Sequence, residues 1–274
     1  MIKLKTISIL SMFRDSEGYL KSTLDRLEAL EAHSSNFSFE YFFYENDSQD
    51  NTVRILDEWM QTRRGFLVSE KLDRPKFNHS TESERQIFMT DYRNRLLHSC
   101  QPLLSDFAII LDSDIMFEPS LIEDYMPYMT EDVAMATPNI LQNIKCKMFD
   151  SSKDSYYDSW ALIDSNGHMG MTWSSNPFYN VKDRDNWDNG NPVVVKSAFG
   201  GCPIIKSEVL NKIRWATRGG CEHWHFCQMA SEFGKVIAIP NIIVRAEVPD
   251  VLSFPQETTL ISQQKRRFSL LNGF

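Results

Sequence analysis

Two aspartates separated by one residue, Asp112 and Asp114, directly follow an apolar run at residues 107–111. A continuous apolar run of this length is typical of a strand that is buried on both faces. Open α/β sheets bind ligands at the carboxyl ends of their strands, so the two carboxylates could converge there on a divalent cation, Mn²⁺ or Mg²⁺. Such a cation would bridge a diphosphate and neutralise a departing anion. The alternative is a strand-ending turn in which an aspartate caps the next helix.

A second polar segment, residues 45–52 with the sequence ENDSQDNT, lies between an aromatic strand pattern and a helical pattern. Its side-chain acceptors could bind the edge of a nucleobase or the hydroxyl groups of a ribose. The alternative is that Ser48 or Asp50 simply caps the following helix.

Three further groups of residues could take part in binding. His223 and His225 could ligate a metal, although imidazoles satisfied by packing are the alternative. The aromatic side chains of residues 150–191 could stack on sugars or pack a long loop; they are Trp160, Trp173, Tyr179 and Trp187. The basic residues 265–267 could fold over a diphosphate or remain a solvated tail.

Alternating strand and helix patterns must position these residues, and they predict an α/β fold with a mostly parallel sheet. Strands are predicted at residues 6–12, 39–44, 66–69, 107–111, 193–198, 203–206, 235–239 and 242–248. Helices are predicted from the stripe Leu20, Leu24, Leu27 and Leu30, and at residues 53–60, 82–98, 207–213 and 222–233. Residues 150–191 have little periodicity, and this predicts a long functional loop or a poorly ordered segment.

The motifs and their order resemble those of GT-A fold glycosyltransferases. ENDSQDNT resembles their Asp-Asp-Gly-Ser-x-Asp-x-Thr segment, and residues 91–94, DYRN, resemble the Ala-Arg-Asn segment before the D-x-D strand. Residues 197–202, SAFGGC, resemble the glycine-rich acceptor-side segment, and residues 221–227, CEHWHFC, resemble the later acidic helix start. The resemblance covers roughly residues 6–235.

The resemblance implies a GT-A fold: a single Rossmann-like α/β domain with a mixed, mostly parallel sheet, a nucleotide-binding half at residues 1–118 and an acceptor-binding half and tail at residues 119–274. It implies a nucleotide-sugar donor, a glycan acceptor and Mn²⁺ or Mg²⁺. The implied donor-binding residues are Phe13, Arg14, Glu45, Asn46, Arg93, Asp112 and Ser113. The implied acceptor-side residues are Trp160, Gly200 and Gly201. The catalytic candidates are Glu222 and His223, and the metal ligands are Asp112 and Asp114, with His225 as a further candidate.

Residues 156–160, YYDSW, and the Phe-Gly-Gly-Cys segment resemble the fungal capsule-associated α-1,3-mannosyltransferases more narrowly. This resemblance implies GDP-mannose as the donor and a retaining reaction, with a UDP-sugar as the alternative donor. Two departures leave choices open. Glu45-Asn46 replaces the usual Asp-Asp, so the base is undetermined. His223 stands where many inverting members carry aspartate, so either Glu222 is the base or the enzyme retains configuration without one.

Composition limits the other classes of function. A formal net charge of −8 argues against a nucleic-acid partner, because phosphate backbones select basic surfaces. Five widely spaced cysteines without a C-x-x-C pair argue against structural zinc and favour reduced thiols. No run is apolar enough to span a bilayer, so we expect a cytoplasmic enzyme, or a lumenal domain if an anchor was trimmed. The alternatives are a haloacid-dehalogenase-type phosphohydrolase, a nucleotidyltransferase and an inactive glycan-binding scaffold.

Overall fold

The structure is a computed structural model and describes residues 4–77, 82–146, 151–217 and 220–246. Its strands are β1 (Lys5–Phe13), β2 (Phe37–Asn46), β3 (Gly65–Glu70), β4 (Phe107–Asp112), β5 (Ile115–Met116), β6 (Val133–Cys146), β7 (Ser151–Tyr156), β8 (Val193–Val194), β9 (Ile204–Lys206) and β10 (Lys235–Ala246). Its helices are α1 (Glu17–His33), α2 (Thr52–Met60), α3 (Ser83–Cys100), α4 (Leu121–Tyr125), α5 (Val181–Asp188), α6 (Ser207–Leu210) and α7 (Glu222–Ser231).

One mixed sheet contains all ten of these strands. Its central order is β3-β2-β1-β4-β9-β6-β10-β5, with β7 paired to β6 and β8 paired to β10. The first four strands of this order pair in parallel, whereas β9 runs antiparallel to both β4 and β6. The predicted α/β fold with a mixed, mostly parallel sheet is therefore confirmed, and strands from both halves of the chain join the sheet.

Apolar side chains explain why the early elements form where they do. The stripe Leu20, Leu24, Leu27 and Leu30 is buried under α1, as its helical spacing predicts. Five of the six residues of β4 are buried, as expected of a central strand, which here pairs with β1 on one side and β9 on the other. Helix α3 packs on β1 and β2, and α7 packs on β6 and β10 and also contacts α3.

The structure corrects the prediction in several places. The strand predicted at residues 193–198 is limited to β8, and neither β5 nor α4 was predicted. The strand β6 was not predicted, and the supposedly irregular residues 150–191 contain both β7 and α5. The two strands predicted around Pro240 are one strand, β10, whose register with β6 shifts between Ile239 and Ile243. This bulge accommodates Pro240, which has no backbone N–H to give to a ladder. Residues 247–248 and 265–267 lie outside the described residues.

Candidate active site

Three neighbouring parallel strands end together and form the floor of a cleft. Met12 of β1 pairs with Asp112 of β4, and Phe13 pairs with Glu45 of β2, so these strand ends lie side by side. The cleft has a volume of about 670 Å³. Its walls come from residues 12–15, from the segment and helix around residues 75–93, and from residues 157–160 and 221–223.

The acidic pair lies on this floor, because Asp112, Ser113 and Asp114 all line the cleft. The Ser113 carbonyl oxygen accepts a hydrogen bond from the Thr23 hydroxyl at 2.8 Å, and the Ser113 hydroxyl lies 2.9 Å from the Tyr19 hydroxyl. These contacts fix the turn and leave two carboxylates at the surface of the cleft. A hard divalent cation prefers such oxygen ligands. The residues present therefore fit the predicted cation.

Arg93 also lines the cleft, but its guanidinium group contacts other side chains of the protein. Its Nη2 lies 3.0 Å from Oδ1 of Asp112, and its side chain is only 5% exposed. The guanidinium carbon lies 5.0 Å from the ring centroid of Phe199 and 5.8 Å from that of Trp215. Arg93 thus holds one oxygen of Asp112. Direct binding of the donor by Arg93 stays a prediction.

The opposite end of the cleft carries the residues predicted to bind the nucleotide. Phe13, Arg14 and Asn46 all line it. The Arg14 guanidinium donates to the carbonyl oxygens of Arg74 and Pro75 at 2.7 and 3.2 Å, which places a positive charge at this end. The region therefore suits an anionic, hydrogen-bonding ligand.

Glu45 lies outside the cleft, contrary to the expectation that it faces the base. It is buried, and its two carboxylate oxygens accept hydrogen bonds from the Ser48 backbone N–H at 2.7 Å and the Ser69 hydroxyl at 2.6 Å. Successive strand residues point to opposite faces, so Glu45 and Asn46 cannot both face the ligand. Asp50 accepts from the backbone N–H of Thr52 and of Glu17, the first residues of α2 and α1, although the N-cap residue of α2 is Asn51.

The start of α7 brings Glu222 and His223 into the cleft, where both are buried. Nε2 of His223 lies 3.6 Å from Oε1 of Glu222, and its ring stacks on Phe199 with centroids 3.6 Å apart. Burial lowers the pKa of His223 well below its ordinary value, and the positive charges of Arg93 and Arg85 act in the same direction. His223 is therefore a neutral imidazole at neutral pH.

His225 does not line the cleft, and this departs from its predicted role as a metal ligand. Two residues along a helix correspond to roughly 200° of rotation, so His225 points away from the face that carries His223. The ligand atoms of Cys221, Glu222 and His223 instead lie within 4.8 Å of one another, and all three residues are buried.

The four cysteines whose pairing is described, Cys100, Cys202, Cys221 and Cys227, are buried and unpaired.

The glycine-rich segment lies between the acidic pair and the acceptor-side wall. Gly200 and Gly201 both have a φ of +66°, a conformation that favours glycine. A Cβ on Gly200 would lie 2.9 Å from the Pro138 carbonyl oxygen. The Gly201 carbonyl oxygen accepts a hydrogen bond from the Asp112 N–H at 2.8 Å. Of the two predicted acceptor-side glycines, Gly201 lines the cleft and Gly200 does not, and their backbone packs closely against Asp112 and β6.

Sequence reasoning gave no role to Asp158, which the structure places in the cleft. Its Oδ2 accepts a hydrogen bond from the Gly200 N–H at 2.9 Å. Burial raises the pKa of Asp158 to about 7, and the negative charges of Asp112 and Glu222 act in the same direction. The motif YYDSW contains this aspartate, but it falls in a segment without periodicity, so only its place in the resemblance could have marked it.

Other side chains complete the cleft or lie outside it. Arg85 lines the cleft as a further cation. Trp160 also lines it and accepts a hydrogen bond at its carbonyl oxygen from the Trp224 indole N–H. Trp187 is buried against Phe178, which confirms the packing alternative for that ring. Trp173 and Tyr179 are exposed but do not line the cleft.

Comparisons with known structures find chains of similar fold. The chain is similar to the mannosyltransferase PcManGT from Pyrobaculum calidifontis, solved in complex with GDP-Man and Mn²⁺: the TM-score is 0.56 and the identity 13%, with 90% of this chain and 58% of that chain covered. It is also similar to S. aureus TarS 1–349, with a TM-score of 0.52, 13% identity and coverage of 88% and 60%. The chain thus spans less than two thirds of the length of these solved chains. No curated protein matches the sequence significantly.

The sheet order and the likeness to these solved structures place the chain in the class of proteins with the GT-A fold. Within this class, the family described as Cryptococcal mannosyltransferase 1 matches residues 8–235, and the chain belongs to it. The match includes every residue that lines the cleft. None of the described helices is long and apolar enough to cross a membrane.

Proposed function

We propose that this protein transfers mannose from GDP-mannose to a hydroxyl group of a glycan, with Mn²⁺ or Mg²⁺ held by Asp112 and Asp114. The observation that carries the proposal is the cleft, where two carboxylates at the end of β4 meet a wall that carries Arg14, Lys76 and Arg85. A cation and basic side chains suit a diphosphate, and the family and the GDP-Man complex of PcManGT favour a mannosyl donor.

The two ends of the cleft suggest the orientation of the donor. The nucleoside would lie near Asn46 and Arg14, at the ends of β2 and β1, and the sugar near Asp158 and Glu222. Arg93 would keep Asp112 oriented, because it already holds Oδ1 of that carboxylate. A bound cation would stabilise the negative charge that develops on the departing diphosphate. The acceptor would enter along the wall that contains Trp160.

Family membership favours this proposal over the phosphohydrolase and nucleotidyltransferase alternatives. An inactive glycan-binding scaffold is distinguished by turnover, since only a transferase slowly releases nucleoside diphosphate from its donor when water replaces the acceptor. Guanine is proposed as the donor base from the family and from the GDP-Man complex of PcManGT, because Glu45 bonds to Ser48 and Ser69 and not to the cleft.

A thermal-shift screen of GDP-mannose, UDP-glucose, UDP-GlcNAc and dTDP-glucose, each with MnCl₂ or with EDTA, tests the donor assignment. A ligand at about 100 times its dissociation constant stabilises the native state by about 2.7 kcal/mol. We expect such a shift for GDP-mannose with manganese and a much smaller shift for the other donors. A larger shift with a UDP-sugar would reassign the base, and no shift with any donor would reject the proposal.

A further inference from the structure

Asp158 lies two residues after β7, on the part of the cleft wall next to β6. In the sheet, β6 lies on the other side of β4 from β1 and β2, whose ends carry the proposed nucleoside site. The backbone N–H of Tyr157 donates to the Ile140 carbonyl oxygen at 2.9 Å, so this segment is held against β6. The Asp158 residue is half-buried and lines the cleft. Its carboxylate is held by the Gly200 N–H, which donates to Oδ2 at 2.9 Å, and by the backbone N–H of Ala161. Asp158 is thus a fixed carboxylate that keeps access to the cleft.

A short chain of hydrogen bonds connects Asp158 to the acidic pair. The Asp112 N–H donates to the Gly201 carbonyl oxygen at 2.8 Å, and the adjacent Gly200 donates to Asp158 at 2.9 Å. The positions of Asp112 and Asp158 are therefore set by the same pair of glycines. A sugar attached to a diphosphate at Asp112 would extend away from the nucleoside end, and Asp158 lies on that side.

Glu222, the acidic candidate on α7, is more enclosed than Asp158. It is 4% exposed, and its carboxylate oxygens lie 3.6 Å from His223 Nε2 and 3.8 Å from Cys221 Sγ. Those neighbours fill the space around it. Asp158 is consequently the carboxylate with more room to contact a sugar.

We propose that Asp158 is a catalytic carboxylate that faces the reacting carbon of the transferred sugar. The inference rests on the proposed function, because it requires a nucleotide-sugar donor in this cleft. When the bond between this carbon and the diphosphate oxygen breaks, its electron pair leaves with the diphosphate and the carbon becomes electron-poor. The incoming hydroxyl oxygen then bonds to the carbon and releases its proton to solvent. In its ionised form, the Asp158 carboxylate stabilises the positive charge that develops in between.

The inference can be tested by GDP release from GDP-mannose in the presence of MnCl₂, with water as the acceptor and the full chain as the enzyme. Asp158→Asn removes the charge but keeps an oxygen that accepts from Gly200. We expect turnover to fall at least about 100-fold, the usual scale for a lost electrostatic partner of the transition state. The dissociation constant of GDP-mannose, measured by calorimetry, should change less than about threefold, because the charge acts mainly on the transition state.

Two further variants separate a catalytic role from a structural one. Asp158→Ala opens space for sodium formate, which should restore GDP release at least about tenfold by resupplying a carboxylate. Asp154→Asn is the matched control, since Asp154 lies on β7, pairs with Arg245 at 2.9 Å and does not line the cleft; its turnover should match that of the wild type.

Wild-type turnover in Asp158→Asn would overturn the role of Asp158 while leaving the proposed function intact. An equal loss of donor affinity and turnover, without rescue by formate, would also overturn it, because a structural role gives that result. Absence of both GDP-mannose binding and GDP release in the wild type would overturn the proposed function and this inference together.

Discussion

The contact between Arg93 and Asp112 gives a prediction whose size follows from the structure. Arg93 Nη2 lies 3.0 Å from Asp112 Oδ1, and the guanidinium packs between the rings of Phe199 and Trp215. The substitution Arg93→Met keeps most of the apolar stem and removes the charge. Any loss of stability in this variant therefore reflects the lost charged contacts more than the creation of a cavity.

Hydrogen bonds to charged groups contribute about 1.5–3 kcal/mol to stability. The Asp112 side chain is 32% exposed, so solvent screens part of this interaction and the lower end of the range applies. The two aromatic contacts together should contribute about 1 kcal/mol. We therefore expect Arg93→Met to lower the free energy of unfolding by about 2–3 kcal/mol, of which about 1–1.5 kcal/mol is the coupling to Asp112.

A double-mutant cycle in EDTA isolates that coupling. The free energies of unfolding of the wild type, Arg93→Met, Asp112→Ala and the double variant are measured in urea at one pH, with a check that the m-value stays constant. A coupling of about 1–1.5 kcal/mol supports the contact. A coupling below about 0.3 kcal/mol, which is within the usual additivity error, would refute the reasoning that Arg93 holds Asp112.

Three further predictions concern pH and the glycine segment. Asp158→Asn should be more stable than the wild type at pH 8 without a cation, by about 2 kcal/mol. The pKa of Asp158 is raised from 3.8 to about 7, so the wild type loses stability as pH rises from about 4 to 7, and urea unfolding should show the difference fading towards pH 4. His223→Phe should lose less stability than the wild type between pH 6.5 and 5, because the lowered pKa of His223 means that the unfolded chain takes up the proton first; parallel curves would contradict this. Alanine at Gly200 or Gly201 should cost about 1–2 kcal/mol for the left-handed backbone. A Cβ on Gly201 would lie 2.7 Å from the end of the Ile115 side chain, which can shift, whereas a Cβ on Gly200 would lie 2.9 Å from the Pro138 carbonyl oxygen, which is fixed backbone. Gly200→Ala should therefore cost more, and equal urea midpoints would contradict this order.

The elements that carry the acidic pair could be predicted because their signals are local. The apolar run before Asp112 and the leucine stripe of α1 report burial within single elements. Neither signal depends on a distant partner. The parallel order of β1, β2 and β4 then follows from the alternation of strands and helices.

The unpredicted elements depend on distant partners. The strand β6 contains Pro138 and Asn139 and pairs with β10, about a hundred residues further along the chain. Helix α5 is mostly polar and is defined by its Asn180 cap and by the buried Trp187 rather than by an amphipathic pattern. Propensity and periodicity carry little information about such segments, because tertiary packing decides their structure.

The candidate site likewise contains residues whose place could be predicted from local sequence and residues whose place depends on distant partners. Asp112 and Asp114 were visible at the end of a strand, whereas the place of Asp158 depends on a hydrogen bond to Gly200, 42 residues away. Glu45 and His225 were assigned to the ligand by their neighbours in sequence, but the alternation of a strand and the rotation of a helix turn them elsewhere. Motif order locates the cleft, and side-chain direction decides which residues enter it.

The central claim is that Asp112 and Asp114 hold a divalent cation through which GDP-mannose binds. Calorimetric titration of GDP-mannose into the wild type and into Asp114→Asn, each with MnCl₂ or with EDTA, tests it most directly. The exposed Asp57 on α2 provides the control variant Asp57→Asn. We predict that manganese tightens binding to the wild type and the control at least about tenfold, and that Asp114→Asn remains folded but loses this gain. Equal affinity with MnCl₂ and with EDTA, or unchanged manganese-dependent binding in Asp114→Asn, would contradict the account.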